Sequence, residues 1–360
     1  MKRSFRTTLA VLVVLAMAAT VLAGCAPSGS TPSGGTTTGT GTPGAAKLKT
    51  AMVTDVGGLG DKSFNDLSYA GLTRASKELN VEIKVLESKQ ITDYESNLSS
   101  LANAGYSPIF AVGFLMTDAV TKESTAFPKT NFGGIDIEFG APAANVVGLN
   151  FKEQEGAYLA GIVAGLSTKA SYDSRLNSAN TIGFVGGMPI PPVQRYEAGF
   201  IAGAKSVNPT IKVISLYAGK FDDQAKGREL GLSLISSGCD IVFAAAGQTG
   251  LGTEKACADS KKALFIGVDS DQFLTIANSG NVMLTSAVKR VDNAVFMTVQ
   301  QAAAGKFVGG QNLFFGLKED GVGLAPFHDF DTKIPTSIKD AVAKATAGIK
   351  DGSVKVPEKP

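Results

Sequence analysis

The stretch from Glu82 to Val112, EIKVLESKQITDYESNLSSLANAGYSPIFAV, contains a complete strand–helix–strand unit. Glu82–Leu86 is a short apolar-rich run of strand length. Thr92-Asp93-Tyr94-Glu95 follows in the pattern of a capping box, in which the Thr hydroxyl and the Glu carboxylate satisfy opposite backbone donors. Leu98, Leu101 and Ala102 then fall on one helical face, and Gly105 suits a helix stop. Ile109–Val112 resumes a strand. A strand, an amphipathic helix and a second strand in so short a span form a right-handed βαβ unit with parallel strands.

The same alternation continues on both sides. Strand-like runs are Lys49–Val53, Phe132–Ile135 and Val146–Leu149, then Thr181–Val185, Lys212–Leu216, Asp240–Ala244, Leu264–Val268 and Val282–Ala287. Most are bounded by Gly, Asp or Asn and rich in β-branched residues. Leu159, Ile162, Val163 and Leu166 make a helical stripe after Glu153 and Glu155, acids suited to a helix start. The body from about Leu48 to Pro360 is long enough for two cores of this α/β kind. Ser171–Asn180 reads as a polar surface loop.

The chain begins differently. Lys2, Arg3 and Arg6 precede an apolar run from Thr8 to about Leu22, and Leu22-Ala23-Gly24-Cys25 closes it. This is the pattern of a secretory signal, and the run falls short of the ~20 apolar residues a spanning helix needs. The ending resembles a lipobox, which implies lipid attachment at Cys25. Ala26 to about Ala46 is uncharged and rich in Gly, Ser, Thr and Pro, the composition of a flexible tether. The whole chain carries 34 basic and 32 acidic residues, net +2. Residues 1–24 hold three of the basic residues and no acid, so the remainder is net −1. No basic surplus favours nucleic acid. Cys239 and Cys257, the other two cysteines, are open to a disulfide in an exported protein or to burial as free thiols.

Much chemistry is missing. His328 is the single histidine, so a His-rich transition-metal site is unavailable, although carboxylates alone could hold Ca²⁺ or Mg²⁺. No nucleophile elbow accompanies it. Gly247-Gln248-Thr249-Gly250-Leu251-Gly252 has neither G-x-G-x-x-G nor P-loop spacing. It reads as a tight strand-to-helix turn whose backbone approaches a small ligand.

In open parallel sheets, ligands bind outside the carboxyl edge. The segments after the expected strands are Thr54–Asn65, Gly113–Asp118, Gly186–Pro189, Gly219–Asp223, Gly247–Gly250 and Asp269–Asp271. They supply carboxylates, amides, backbone donors and two phenylalanines. TDVGGLGDKSFND, GLNFKEQEGAYLAG, GFVGGMPIPPVQRYEAGFIAG, IGVDSDQ and TSAVKRVDNAV, in that order, resemble the basic membrane protein family. These are substrate-binding lipoproteins of ABC importers, and the branch resembled is the purine nucleoside receptor type.

The resemblance implies a type I periplasmic-binding-protein fold, with two Rossmann-like lobes joined by three crossovers. It implies a signal peptide at 1–24 and a tether at 25–46. The first lobe would span 47–150 with a return at roughly 288–308, and the second 151–287 with roughly 309–350. It implies a purine nucleoside as ligand, ABC permease subunits as partners, a lipid anchor to the membrane, and no cofactor, metal or catalytic residue. Phe64 would stack on one face of the base and Phe221 on the other, with Tyr217 as the alternative. Asp55 and Asp118 would accept from base N–H groups, with Asn65 beside Phe64 in the same motif. Asp269 would take the ribose diol, Lys289 would donate to ribose oxygens, and Gly247 would offer backbone at close range.

Without the resemblance, Phe64 fits a core position, Asp55 a cap of the Gly-rich turn, and Asp269 or Asp271 a helix N-cap. A sugar or other polar ligand on the same fold is the competing reading, mildly disfavoured by the absence of Trp. A ligand-sensing lipoprotein is a further one.

Overall fold

A computed structural model describes residues 47–360, which form one compact unit. The expected signal, tether and Cys25 lie outside the described residues. The first sheet uses β1 (Lys49–Val53), β2 (Glu82–Leu86), β3 (Ile109–Val112), β4 (Phe132–Ile135) and β5 (Val146–Phe151). Helices α1 (Phe64–Leu79), α2 (Asp93–Asn103) and α3 (Thr117–Ala126) connect its strands. The chain then crosses through α4 (Glu153–Ser167) into the second lobe. There β6 (Thr181–Gly186), β7 (Lys212–Tyr217), β8 (Ile241–Ala245), β9 (Leu264–Asp269) and β10 (Met283–Lys289) alternate with α5 (Pro191–Val207), α6 (Gln224–Ser236), α7 (Gln248–Ser260) and the short α8 (Gln272–Thr275). It returns through α9 (Val291–Ala303) and β11 (Gln311–Phe315) and crosses again to β12 (Val322–Leu324) and α10 (Thr336–Asp351).

The sheet orders are β11-β5-β4-β3-β1-β2 and β12-β10-β9-β8-β6-β7. The lobes therefore share one topology, with β4 and β5 standing where β9 and β10 stand. Three connections join them, after β5, β10 and β11. Only β12 runs antiparallel among these pairings. Gln311–Phe315 pairs with β5 in the first sheet, so the return into lobe 1 extends beyond the expected 288–308, and this strand does not belong to the second lobe. β11 and β12 gave no strand signal because both are short edge strands, partly exposed.

In the opening unit the helix stop has the expected form. Gly105, at φ +77°, donates to Ala102 O at 3.0 Å, and the Tyr106 N–H reaches Leu101 O at 3.1 Å. This is a Schellman closure, with Tyr106 and Leu101 in the same core. The capping box does not form, because Thr92 makes no capping bond. Asp93 instead accepts from the Lys89 and Gln90 N–H groups at 2.9 and 3.1 Å, drawing the preceding turn onto its own carboxylate. Helices α4 and α5 lie unusually close. A Cβ at Gly199 or Gly203 would collide with the backbone of Gln154 or Tyr158. That contact fixes the start of α4 against α5, where several site residues stand. Cys239 and Cys257 are buried free thiols, and burial pushes the Cys239 thiol up to about 12. No helix of the described residues is long and apolar enough to cross a membrane.

Candidate ligand site

The carboxyl edges of both sheets line a cavity between the lobes, the place where open parallel sheets bind ligands. Asp55, Phe64, Asn65, Phe221, Gly247, Asp269 and Lys289 all line it. Asp118 does not. After Gly113 the chain makes a single 3₁₀ turn, Phe114–Met116, and Asp118 lands exposed in the first turn of α3. Tyr217 also lies outside the lining; its hydroxyl donates to Glu197 at 2.6 Å.

Lobe 1 presents a carboxylate–amide wall. Asp55 Oδ1 accepts from Gly57 N–H at 2.8 Å and from Asn65 Nδ2 at 2.9 Å. Asp61 caps the start of α1, accepting from the Ser63, Asn65 and Asp66 N–H groups and from Asn65 Nδ2. Burial raises Asp55 to about 6 and Asp61 to about 7, outweighing these hydrogen bonds, which act to lower them. Asn65 Oδ1 is buried with no partner among the described residues.

Two aromatic rings face the cavity from opposite lobes. Phe64 opens α1, and Lys289 Nζ lies 4.6 Å from its ring centroid, a cation–π contact that steadies the ring. Phe221 follows β7 and is half-buried. Gly187 must lack a side chain here, because a Cβ would collide with the Phe221 ring.

At the strand ends of β4, β9 and β10, ionised groups converge. Lys289 Nζ donates to Asp136 Oδ2 at 2.6 Å and to Glu153 Oε1 at 3.5 Å, with Asp269 Oδ1 at 3.6 Å. Arg195 donates to Glu153 Oε2 at 2.6 Å, and Tyr196 donates to Asp269 Oδ1 at 2.8 Å. Lys289 is 2% exposed and Glu153 fully buried, so these charges are compensated mainly by one another. Burial raises the Glu153 and Asp269 carboxyls, with the nearby cations opposing. The surrounding acids hold Lys289 above the ordinary lysine range despite its burial.

Asp136 and Asp269 occupy equivalent places in the two lobes, and both adopt a left-handed backbone, at φ +59°. A non-glycine residue there is strained, as functional residues often are. Sequence reasoning missed Asp136, Glu153, Arg195 and Tyr196. A signal for Asp136 did exist: Gly134-Ile135-Asp136 closes the first-lobe run and its exit as Gly267-Val268-Asp269 closes β9.

The lobes also bond to each other across the rim. Gln248 Nε2 donates to Gly57 O at 2.8 Å, and Ser270 Oγ and Thr275 Oγ1 donate to Lys62 O at 2.6 and 3.1 Å. The described arrangement is therefore a closed one.

Comparison with known proteins agrees with this architecture. The family described as "ABC transporter substrate-binding protein PnrA-like" matches residues 48–357. The CD4+ T-cell-stimulating antigen of Listeria monocytogenes is 38% identical, over 86% of this chain and 88% of that protein. The ABC transporter nucleoside-binding protein BmpA of Lactococcus lactis is 37% identical, over 87% and 90%. Among solved structures, an ABC transporter solute-binding protein of Aeropyrum pernix aligns at a TM-score of 0.76 and 26% identity, covering 86% of this chain and 94% of that one.

Proposed function

This chain belongs to the PnrA-like family of ABC transporter substrate-binding proteins, and on that premise we propose that it captures a purine nucleoside between its lobes and delivers it to a permease. The observation that carries this reading is the pair Phe64 and Phe221, one from each lobe, lining a single cavity together with Asp136, Asp269 and Lys289. Two rings suit the faces of a neutral heterocycle. Asp55 and Asn65 Oδ1 supply acceptors for base N–H groups, and an unpartnered buried acceptor gains most from a ligand donor. Asp269 and Asp136 accept the ribose hydroxyls, while Lys289 holds those carboxylates in register. We read the site as one that binds without catalysis.

Cys25 carries the lipid that tethers the receptor outside the cell membrane; fatty-acid labelling should mark the wild type and spare Cys25→Ser. Calorimetry with guanosine, adenosine, guanine and ribose tests the ligand. Nucleosides should bind best, and free bases should lose the contribution of the diol. Tight binding of ribose, with Phe64→Ala unaltered, would favour a sugar receptor instead.

A further inference from the structure

A second cavity adjoins the first and shares Asp136 and Phe114 with it. Its other polar lining residues are Glu138, Asn150, Arg195 and Asn312. The wall is firmly built. Asn312 clamps the loop after β4 through both backbone groups of Phe139, accepting at 3.1 Å and donating at 2.7 Å. Asn150 Nδ2 donates to Ile137 O at 3.0 Å. Two acceptors in this wall, Asp136 Oδ1 and Asn150 Oδ1, are buried and lack a partner among the described residues; their residues are 5% and 1% exposed.

The charges here do not cancel. Arg195 is matched by Glu153 and Lys289 by Asp136. That leaves Asp269, which shares Lys289 and accepts from Tyr196, and the exposed Glu138 as carboxylates in excess of the cations, one on the wall of each cavity. Unpartnered acceptors and surplus negative charge call for donors or a cation and oppose an anion.

We propose that this second cavity is a subsite for the 5′ substituent of the bound nucleoside, fitted to an amine or other donor-bearing cationic group and closed to phosphate. The inference rests on the nucleoside reading, in which the sugar lies against Asp136 and Asp269. The two cavities meet at Asp136 and Phe114, so a group carried on the sugar beside Asp136 is the part of the ligand nearest the second cavity.

The test is calorimetry on the full chain with adenosine, 5′-amino-5′-deoxyadenosine and adenosine 5′-monophosphate, with the guanosine series alongside. The amino analogue should bind at least as tightly as its parent, and the monophosphate about 100-fold more weakly or worse. Glu138→Lys, on the outer wall, should shift the ratio of monophosphate to parent affinity about tenfold towards the monophosphate. An amino analogue more than about tenfold weaker than its parent would overturn the subsite, as would a monophosphate within about tenfold of it. A Glu138→Lys protein in which parent and derivatives shift together would also overturn it. Silence from every nucleoside, parents included, would remove the nucleoside reading and the subsite together, an outcome distinct from the others.

Discussion

Lys289→Met removes one charge and little volume from the centre of the site, and its effect can be worked from the geometry. The ammonium lies 2.6 Å from Asp136, 3.5 Å from Glu153 and 3.6 Å from Asp269. Without it Arg195 is the one cation left in the cluster, against three carboxylates that are 8% exposed or less. Stripping one partner from a buried ion pair costs about 3–5 kcal/mol. The carboxylates can relieve part of that by taking up protons, at about 1.4 kcal/mol for each pKa unit. Glu153 and Asp269 are already raised by burial, and loss of the lysine raises them further. An acid whose pKa is higher folded than unfolded binds more protons in the folded state between the two values, so stability falls as pH rises through that window. The deficit should therefore be largest near pH 8 and shrink towards pH 5. Urea denaturation of both proteins at pH 5, 6, 7 and 8 measures it. A deficit under about 1 kcal/mol at pH 8, or one that stays constant with pH, would refute the idea that this cluster is desolvated and held by Lys289.

Phe64→Ala should weaken nucleoside binding by about 1–3 kcal/mol, or 5- to 150-fold, and calorimetry against free purine should show a similar loss. Binding should also depend on Asp55, whose carboxyl is raised by burial to about 6. A ligand donating to the carboxylate favours the ionised form, so affinity should hold above pH 6 and fall towards tenfold per unit below it, and Asp55→Asn should flatten that profile. Gln248→Ala removes the cross-rim bonds to Gly57 and Leu59. At about 0.5–1.5 kcal/mol net, that should raise every ligand Kd by a similar factor without altering preference among ligands, as stopped-flow dissociation would show.

The regular framework was legible because hydrophobic period and glycine punctuation report burial and chain reversal. Lys49–Val53, Glu82–Leu86, Ile109–Val112 and Phe132–Ile135 stand as read. The strands ending at Asp269 and Lys289 run one or two residues past the expected ends, which sets both side chains on the sheet edge. Thr92 misled because a neighbouring aspartate took over the turn. Asp118 misled because a 3₁₀ turn of three residues rotated the start of α3. Glu153 and Lys289 are 136 positions apart in the chain, and no local pattern encodes such a meeting. The packing of α4 against both β10 and α5 brings Glu153 to Lys289 and Arg195, and its close approach to α5 is set by glycines whose neighbours are known only once the helices are in place.

The central claim, that a purine nucleoside is what the lobes enclose, is tested most directly by mass spectrometry of small molecules released on denaturing the purified wild-type protein. The wild-type sample should release a neutral purine nucleoside, lost or markedly depleted from Phe64→Ala purified in the same way. Release of a sugar, or of a nucleoside in equal amount from both proteins, would contradict it.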